Sequence, residues 1–200
     1  MDIENSPVAI VIFAVTVLIS LYTLYKNNKL YYAWVLSPPK VVHEKKFYLL
    51  ITSGFLHADL MHLLFNMLTF YFFGFALEQI IGSLNFLIIY LVSLVLSSVP
   101  TVIRHKDNYS YGSVGASGAI SGILFASIMV MPNAGIMIFP VPIPIPAWIF
   151  GILYLLWSYF AAKRANDNIN HDAHFYGALT GIIMMIILIP GIINHFIQSF

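Results

Sequence analysis

Apolar residues in this chain come in long blocks, with no strict alternation, and polar residues gather between the blocks. Six stretches, about 8–25, 60–77, 84–103, 117–131, 147–162 and 175–193, are of helical type when set against the roughly 20 apolar residues that a bilayer core demands. The expected fold class is all-α: a polytopic membrane bundle of six transmembrane helices forming a single domain over residues 1–200, without tandem repeats. Asp2 and Glu4 precede the first stretch, no basic residue does, and no small-residue cleavage site follows, so it reads as a retained anchor. Pro190-Gly191 is expected to kink or end the last stretch.

The connections differ in kind. Residues 26–59 are more than a plain turn needs. They mix Tyr31, Tyr32, Trp34, Phe47, Tyr48 and Phe55 with Lys40, Lys45 and Lys46, the pattern of an element lying in the headgroup region. Every second residue of 140–146 is proline, which excludes a helix and predicts a short extended connector. The fourth stretch spans about 22 Å at 1.5 Å per residue, short of the roughly 30 Å hydrocarbon layer. Its start at Ser117 therefore lies below one membrane surface, and non-helical residues 108–114 must be covered by protein or line a wet cavity.

Composition agrees with the pattern. Hydrophobic residues make up 60% of the chain and charged residues only 8%, too few to coat a soluble domain. No cysteine is present, which removes disulfides and thiolate metal sites. A net charge of +1 gives no basic surface for nucleic acid.

Candidate chemistry sits at three separated places. In Gly115-Ala116-Ser117-Gly118 and onward, residues four apart share a helix face, which puts Gly118 in line with Gly122 and Ser117 with Ser121. By itself this is a small-residue packing face. Ser117, however, heads the helix, where unpaired N–H groups point outward and favour negative charge. A serine there has its own N–H available to an oxyanion. In the second stretch His62 and Asn66 share a face, costly in a membrane unless paired. In the sixth, Gly177 and Gly181 lie on the face of His174, the one able to dock tightly. Two glycine-faced helices, one headed by serine and one by histidine, bring a hydroxyl and an imidazole within reach. Asp172 is read as the N-cap of the last helix, with Asn170 its competitor. His57 with His62, or His171 with His174, lack the register of a metal site, and no metal or cofactor is expected. Trp148 and Trp157 read as lipid-facing or packing aromatics.

His62-x-x-x-Asn66, Gly115-x-Ser117-Gly118 and Ala173-His174-x-x-Gly177-x-x-x-Gly181, in this order, resemble the motifs of the rhomboid intramembrane serine proteases in their basic six-helix bacterial form. The resemblance implies that Ser117 is the nucleophile and His174 the general base, a dyad without a carboxylate. It implies an oxyanion hole of His62, Asn66 and the Ser117 N–H, and Glu78, ahead of Gly82-Ser83, as a structural anchor. It also implies lateral substrate access beside the second and fifth helices. Two departures are visible. Tyr48-Leu49 stands where the family carries a Trp-Arg pair, and Ser121 stands where some relatives carry a tyrosine that packs on the base.

The expected function is a serine endopeptidase that hydrolyses a peptide bond in or near the transmembrane helix of membrane-protein substrates. The alternative is a catalytically inactive rhomboid-like protein that binds or escorts membrane clients, which usually loses Ser117 or His174. All nine Lys and Arg residues fall on the side onto which Ser117 opens, and the positive-inside rule would place that side in the cytoplasm. The resemblance implies the reverse, in a bacterial plasma (inner) membrane with the active site on the extracytoplasmic side. We adopt that orientation because several charges lie in the interfacial loop, where the rule weakens. Cysteines placed at Asn5 and Asn28 and probed on intact cells with an impermeant thiol reagent should label at position 28; labelling at position 5 alone would reverse the orientation.

Overall fold

The computed structural model describes residues 3–138, 141–164 and 169–200, so Asp2 and the start of the 140–146 connector lie outside the described residues. Helix α1 (Pro7–Tyr25) leads into three short helices, α2 (Asn28–Trp34), α3 (Pro38–His43) and α4 (Leu49–Thr52). Then follow α5 (Leu60–Ile81), α6 (Ser83–His105), α7 (Ser117–Val130), strands β1 (Gly135–Ile138) and β2 (Val141–Pro146), α8 (Ala147–Arg164), α9 (His171–Leu188) and α10 (Ile192–Gln198). Helices α1, α5, α6 and α9 are long and apolar enough to cross a membrane; α7 is apolar and shorter.

Helix α7 is the centre. From Gly118 to Met129 every residue is buried, so the helix is hydrophobic on all sides because it has no outer side. Lipid tails are as apolar as leucine, so no solvent-driven term pulls helices together in a bilayer; close atomic contact must do it. The chain supplies that contact with glycine. A Cβ on Gly177 would sit 2.9 Å from the Gly118 carbonyl carbon, and one on Gly181 would sit 2.7 Å from the Gly122 Cα. Helices α7 and α9 thus touch backbone to backbone at two successive turns. The same α7 glycines meet α6 on their other flank: a Cβ on Gly118 would be 2.7 Å from the Ser97 Cβ, and one on Gly122 2.6 Å from the Ser93 Cβ. At well-packed distances each atom pair gains about 0.1–0.2 kcal/mol, so two turns of contact on both flanks accumulate several kcal/mol.

Buried polar backbone is satisfied at the end of the bundle away from Ser117. Glu78, near the end of α5, accepts from the Val8 N–H at 3.1 Å and the Ala9 N–H at 2.6 Å, and from the Ser83 hydroxyl at 2.6 Å. One carboxylate therefore caps α1, ties it to α5 and braces the turn into α6; charge-assisted bonds of this kind contribute about 1.5–3 kcal/mol each. At the far end of α7, His195 of α10 bonds the Val130 carbonyl at 2.7 Å, one of the helix's last unpaired acceptors. The interfacial region 26–59 consists of short helices with Tyr32, Phe47 and Tyr48 exposed. Leu49, where the resemblance puts an arginine, is fully buried in a small apolar cluster with Leu36, Val41 and Val102.

Three expectations need correction. The fold is not purely helical: β1 and β2 pair antiparallel, Ile136 opposite Ile145. Prolines 142, 144 and 146 remove N–H groups from one edge of β2 only, leaving the other edge able to pair. The last long helix begins at His171 rather than near 175, because Asn170 and not Asp172 is its N-cap, its side chain accepting from the Ala173 N–H at 3.1 Å. That helix stops at Leu188 rather than near 193: Pro190 cannot continue it, and Gly191, with φ 82°, turns the chain into α10.

Because Gly181 faces backbone, which cannot rotate away, even Gly181→Ala should destabilise the fold by about 1–3 kcal/mol, and Gly181→Leu by more. Thermal unfolding in detergent checks this; an unchanged Tm for Gly181→Leu would disprove the close α7–α9 docking.

Candidate active site

Ser117 is the first residue of α7, after Ala116, so its N–H has no partner within the helix. The backbone leading to it is non-helical and is held by the interfacial region. Ser113 and Leu36 exchange N–H···O bonds at 3.0 and 3.1 Å, and the Gly115 N–H donates to the Ser53 carbonyl at 3.0 Å. These bonds satisfy the backbone at residues 113 and 115, whereas Asn108, Tyr109, Ser110 and Gly112 are exposed.

Gly115 has φ 125°, a conformation that resists any side chain, and its missing Cβ leaves room for a histidine. A Cβ there would lie 2.8 Å from Cε1 and 2.9 Å from Nε2 of His62. The imidazole of α5 is therefore pressed against the turn two residues before Ser117. Asn66, buried one helical turn along α5, donates one amide hydrogen to the His62 carbonyl at 2.9 Å. Behind His62 lies His57, wholly buried and edge-on to it, with ring centroids 4.9 Å apart. The Ser20 hydroxyl donates to the Phe55 carbonyl at 2.8 Å and also lies 2.8 Å from His57 Nδ1. That arrangement makes Nδ1–H the donor to Ser20. Burial, with His62 adjacent, pushes His57 down to about 3, so it remains a neutral wall.

His174 is in the first turn of α9, half-buried like Ser117. The helices carrying the two residues meet at Gly118 and Gly177, one residue beyond Ser117 and three beyond His174, and the Ala173 carbonyl also faces Gly118. Ser117, His62 and the first turn of α9 therefore lie at one end of α7, with Asn66 one turn further along α5. Glu78 stands at the other end of the bundle, at the α1 start. Asp172 is turned away from this group and pairs with Arg104 of α6. Among the described residues no three His, Asp or Glu side chains converge as a metal site requires.

The amino-acid pattern did not point to Ser93, Ser97 or Tyr154, and it gave Asn170 only a capping role. Ser93 and Ser97 flank the glycine face from α6. Asn170 links three elements, accepting from Thr101 at 3.0 Å and donating to Ser113 at 3.2 Å. Tyr154 of α8 stacks on His174, with centroids 6.3 Å apart and planes 25° apart, and its hydroxyl is 2.7 Å from Ser121 Oγ. The Phe150, Tyr154, Trp157 spacing on α8 was the available signal, an aromatic stripe on one face. Trp157, half exposed, packs edge-on against His171 at 4.8 Å, while Trp148 lies against Phe200.

Comparison with known proteins shows the family. The chain is 30% identical over 139 residues, 67% of its length, to Rhomboid protein 1, mitochondrial, of Saccharomyces cerevisiae, of which the match covers 40%. It is 31% identical over 143 residues to the putative rhomboid protease YdcA of Bacillus subtilis, covering 68% of this chain and 64% of that one. It is 24% identical over 181 residues to the rhomboid protease GlpG of Photorhabdus laumondii, covering 90% and 61%. The chain thus spans roughly 40–64% of the length of these relatives. The family model of the rhomboid domain matches residues 44–191, which hold Ser117, His174, His62, Asn66 and every glycine of the α7–α9 contact; with its apolar helices, the chain is an integral membrane protein of the rhomboid family.

Proposed function

We propose that this chain is an intramembrane serine endopeptidase cutting a peptide bond in or near the transmembrane helix of a membrane-protein substrate. The observation that supports the reading is the backbone contact of α7 and α9, one residue beyond Ser117 and three beyond His174, both of them half-buried. In this reading α7 and α8 join the four helices that are long and apolar enough to cross a membrane, as a six-span bundle forming one domain over residues 1–200.

His174 takes the Ser117 proton as Oγ attacks the scissile carbonyl. The oxyanion forms at the start of α7, where the Ser117 N–H, His62 and the second amide hydrogen of Asn66 receive it. The protonated imidazole then hands its proton to the leaving amine, and water, activated by the same base, releases the acyl group. Asp172 has no part in this, being committed to Arg104. The family resemblance adds a small residue such as alanine before the cut, and an active site opening to the extracytoplasmic side of a bacterial plasma membrane. Two relatives carry the word mitochondrial in their names, so family membership selects no compartment by itself.

Ser117→Ala should abolish both cleavage of a model transmembrane substrate and labelling by a fluorophosphonate, with little change in Tm. His174→Ala should be nearly as severe. Asn66→Ala and His62→Ala each remove one donor and should lower the rate by about 10²–10³ while leaving measurable turnover. Asp172→Asn should stay near wild type. Cleavage that persists in Ser117→Ala ends the protease reading. A wild-type chain that neither cleaves nor labels would point to the client-binding alternative, and an inactive but folded Asp172→Asn would turn the dyad into a triad.

A further inference from the structure

We propose that Tyr154 is a positioning residue for His174, and that through it the seating of α8 decides whether the Ser117–His174 pair is assembled; the inference rests on the function proposed above. Tyr154 touches His174 and the helix that carries Ser117 at once. Its ring stacks on the imidazole at 6.3 Å and 25°, within the range of favourable offset stacking. Its hydroxyl reaches Ser121 Oγ at 2.7 Å, and Ser121 lies one turn beyond Ser117 on the same face of α7. The ring also packs on Phe125 of α7, with centroids 5.6 Å apart. The phenol therefore forms a wall that limits rotation of the imidazole, and Ser121 holds that wall in register with the nucleophile's own helix.

The second half of the proposal concerns how α8 is held. Helices α7 and α9 meet through backbone, which leaves no freedom to slide. Helix α8 has no such seam. Among its described residues only Ala147, Gly151 and Ser158 are buried, and Ile152, Leu153, Leu156, Trp157, Tyr159 and Phe160 are exposed. Further along α8 a half-open cavity of about 450 Å³ lies between α8 and α7, α9 and α10, lined by Ile128, Leu155, Ile182 and Phe196 among others, so that Gly151 is a close point of contact between α8 and α7. An element with so few close neighbours opens at lower free energy than the core. When α8 moves outward it carries Tyr154 with it, and the imidazole loses its wall. Were Tyr154 only filling space and finding a partner for its hydroxyl, its loss would reduce stability and leave the reactivity of the folded fraction intact.

The two accounts separate in the kinetics of fluorophosphonate labelling of Ser117 in the full chain in detergent. The maximal rate and half-saturating concentration are taken per folded molecule, with Tm measured alongside. Tyr154→Phe keeps the ring and should label within about threefold of wild type. Tyr154→Leu should lower the maximal rate by about 10–100-fold, the scale of an ångström-level misplacement, with the half-saturating concentration little changed. Adding Ser121→Tyr to Tyr154→Leu supplies a ring from α7 instead and should recover most of the rate, which a loss of stability alone would not.

Gly151 faces Ile128 Cδ1 of α7, 3.2 Å from where its Cβ would be, so Gly151→Leu prises α8 away without touching the pair. It should slow labelling as Tyr154→Leu does, yet add less than about twofold in the doubly exchanged background, where α8 no longer supports the base. Labelling of folded Tyr154→Leu at the wild-type maximal rate overturns the positioning role. An equal effect of Gly151→Leu in both backgrounds overturns the link to α8. A wild-type chain that does not label at all, or a Ser117→Ala chain that labels equally, instead refutes the protease reading on which the inference stands.

Discussion

The contact on which this molecule depends is the meeting of two bare backbones, Gly118 with Gly177 and Gly122 with Gly181. Inside a bilayer, burying apolar area against a neighbour yields almost nothing over burying it against lipid, so helices associate through close fit. A glycine pair gives the closest fit available and also makes it intolerant of error, because the facing atoms are carbonyls and not movable side chains. Helix α7 can be short and buried on every side only because α6 and α9 grip it so tightly. The same grip fixes the register that places the head of α7 beside the head of α9.

From that centre outward the structure is an accounting of backbone polar groups. A short central helix leaves non-helical chain before Ser117, and the interfacial region satisfies part of its backbone: Ser113 with Leu36, and Gly115 with Ser53. Glu78 serves the unpaired amides at the start of α1, and His195 serves a carbonyl at the end of α7. These devices also position the candidate site. The bend that lets Gly115 reach Ser53 is the one against which His62 packs, and Asn170, which caps α9, also anchors Ser113. Stability and site geometry share the same hydrogen bonds.

The bundle has a rigid side and a loose side. Helices α6, α7 and α9 interlock through small residues, whereas α8 leans on them through aromatic side chains with a cavity beneath. Large side chains across a gap tolerate displacement, and backbone contacts do not. The proposed function would use both kinds of packing, the rigid side to keep Ser117 and His174 in register and the loose side to let a substrate approach.

The chain's residues alone were enough to read the membrane class, the helical segments and the glycine faces and to nominate Ser117, His174, His62 and Asn66, because each is a local matter of hydropathy, motif or spacing at 3.6 residues per turn. Local reasoning failed where a partner is distant. The β1–β2 pairing needed to know which edge of a proline-rich strand another strand would meet. The cap on α9 fell to Asn170 because Arg104, from another helix, claimed Asp172. The ring beside His174 came from position 154, while the helical spacing around Ser117 pointed only to Ser121. Ser93 and Ser97 are unremarkable residues in α6 until two glycines of α7 are laid on them. Periodicity determines which face of a helix is bare, but only the assembled bundle determines what lies against it, since that contact joins atoms tens of residues apart.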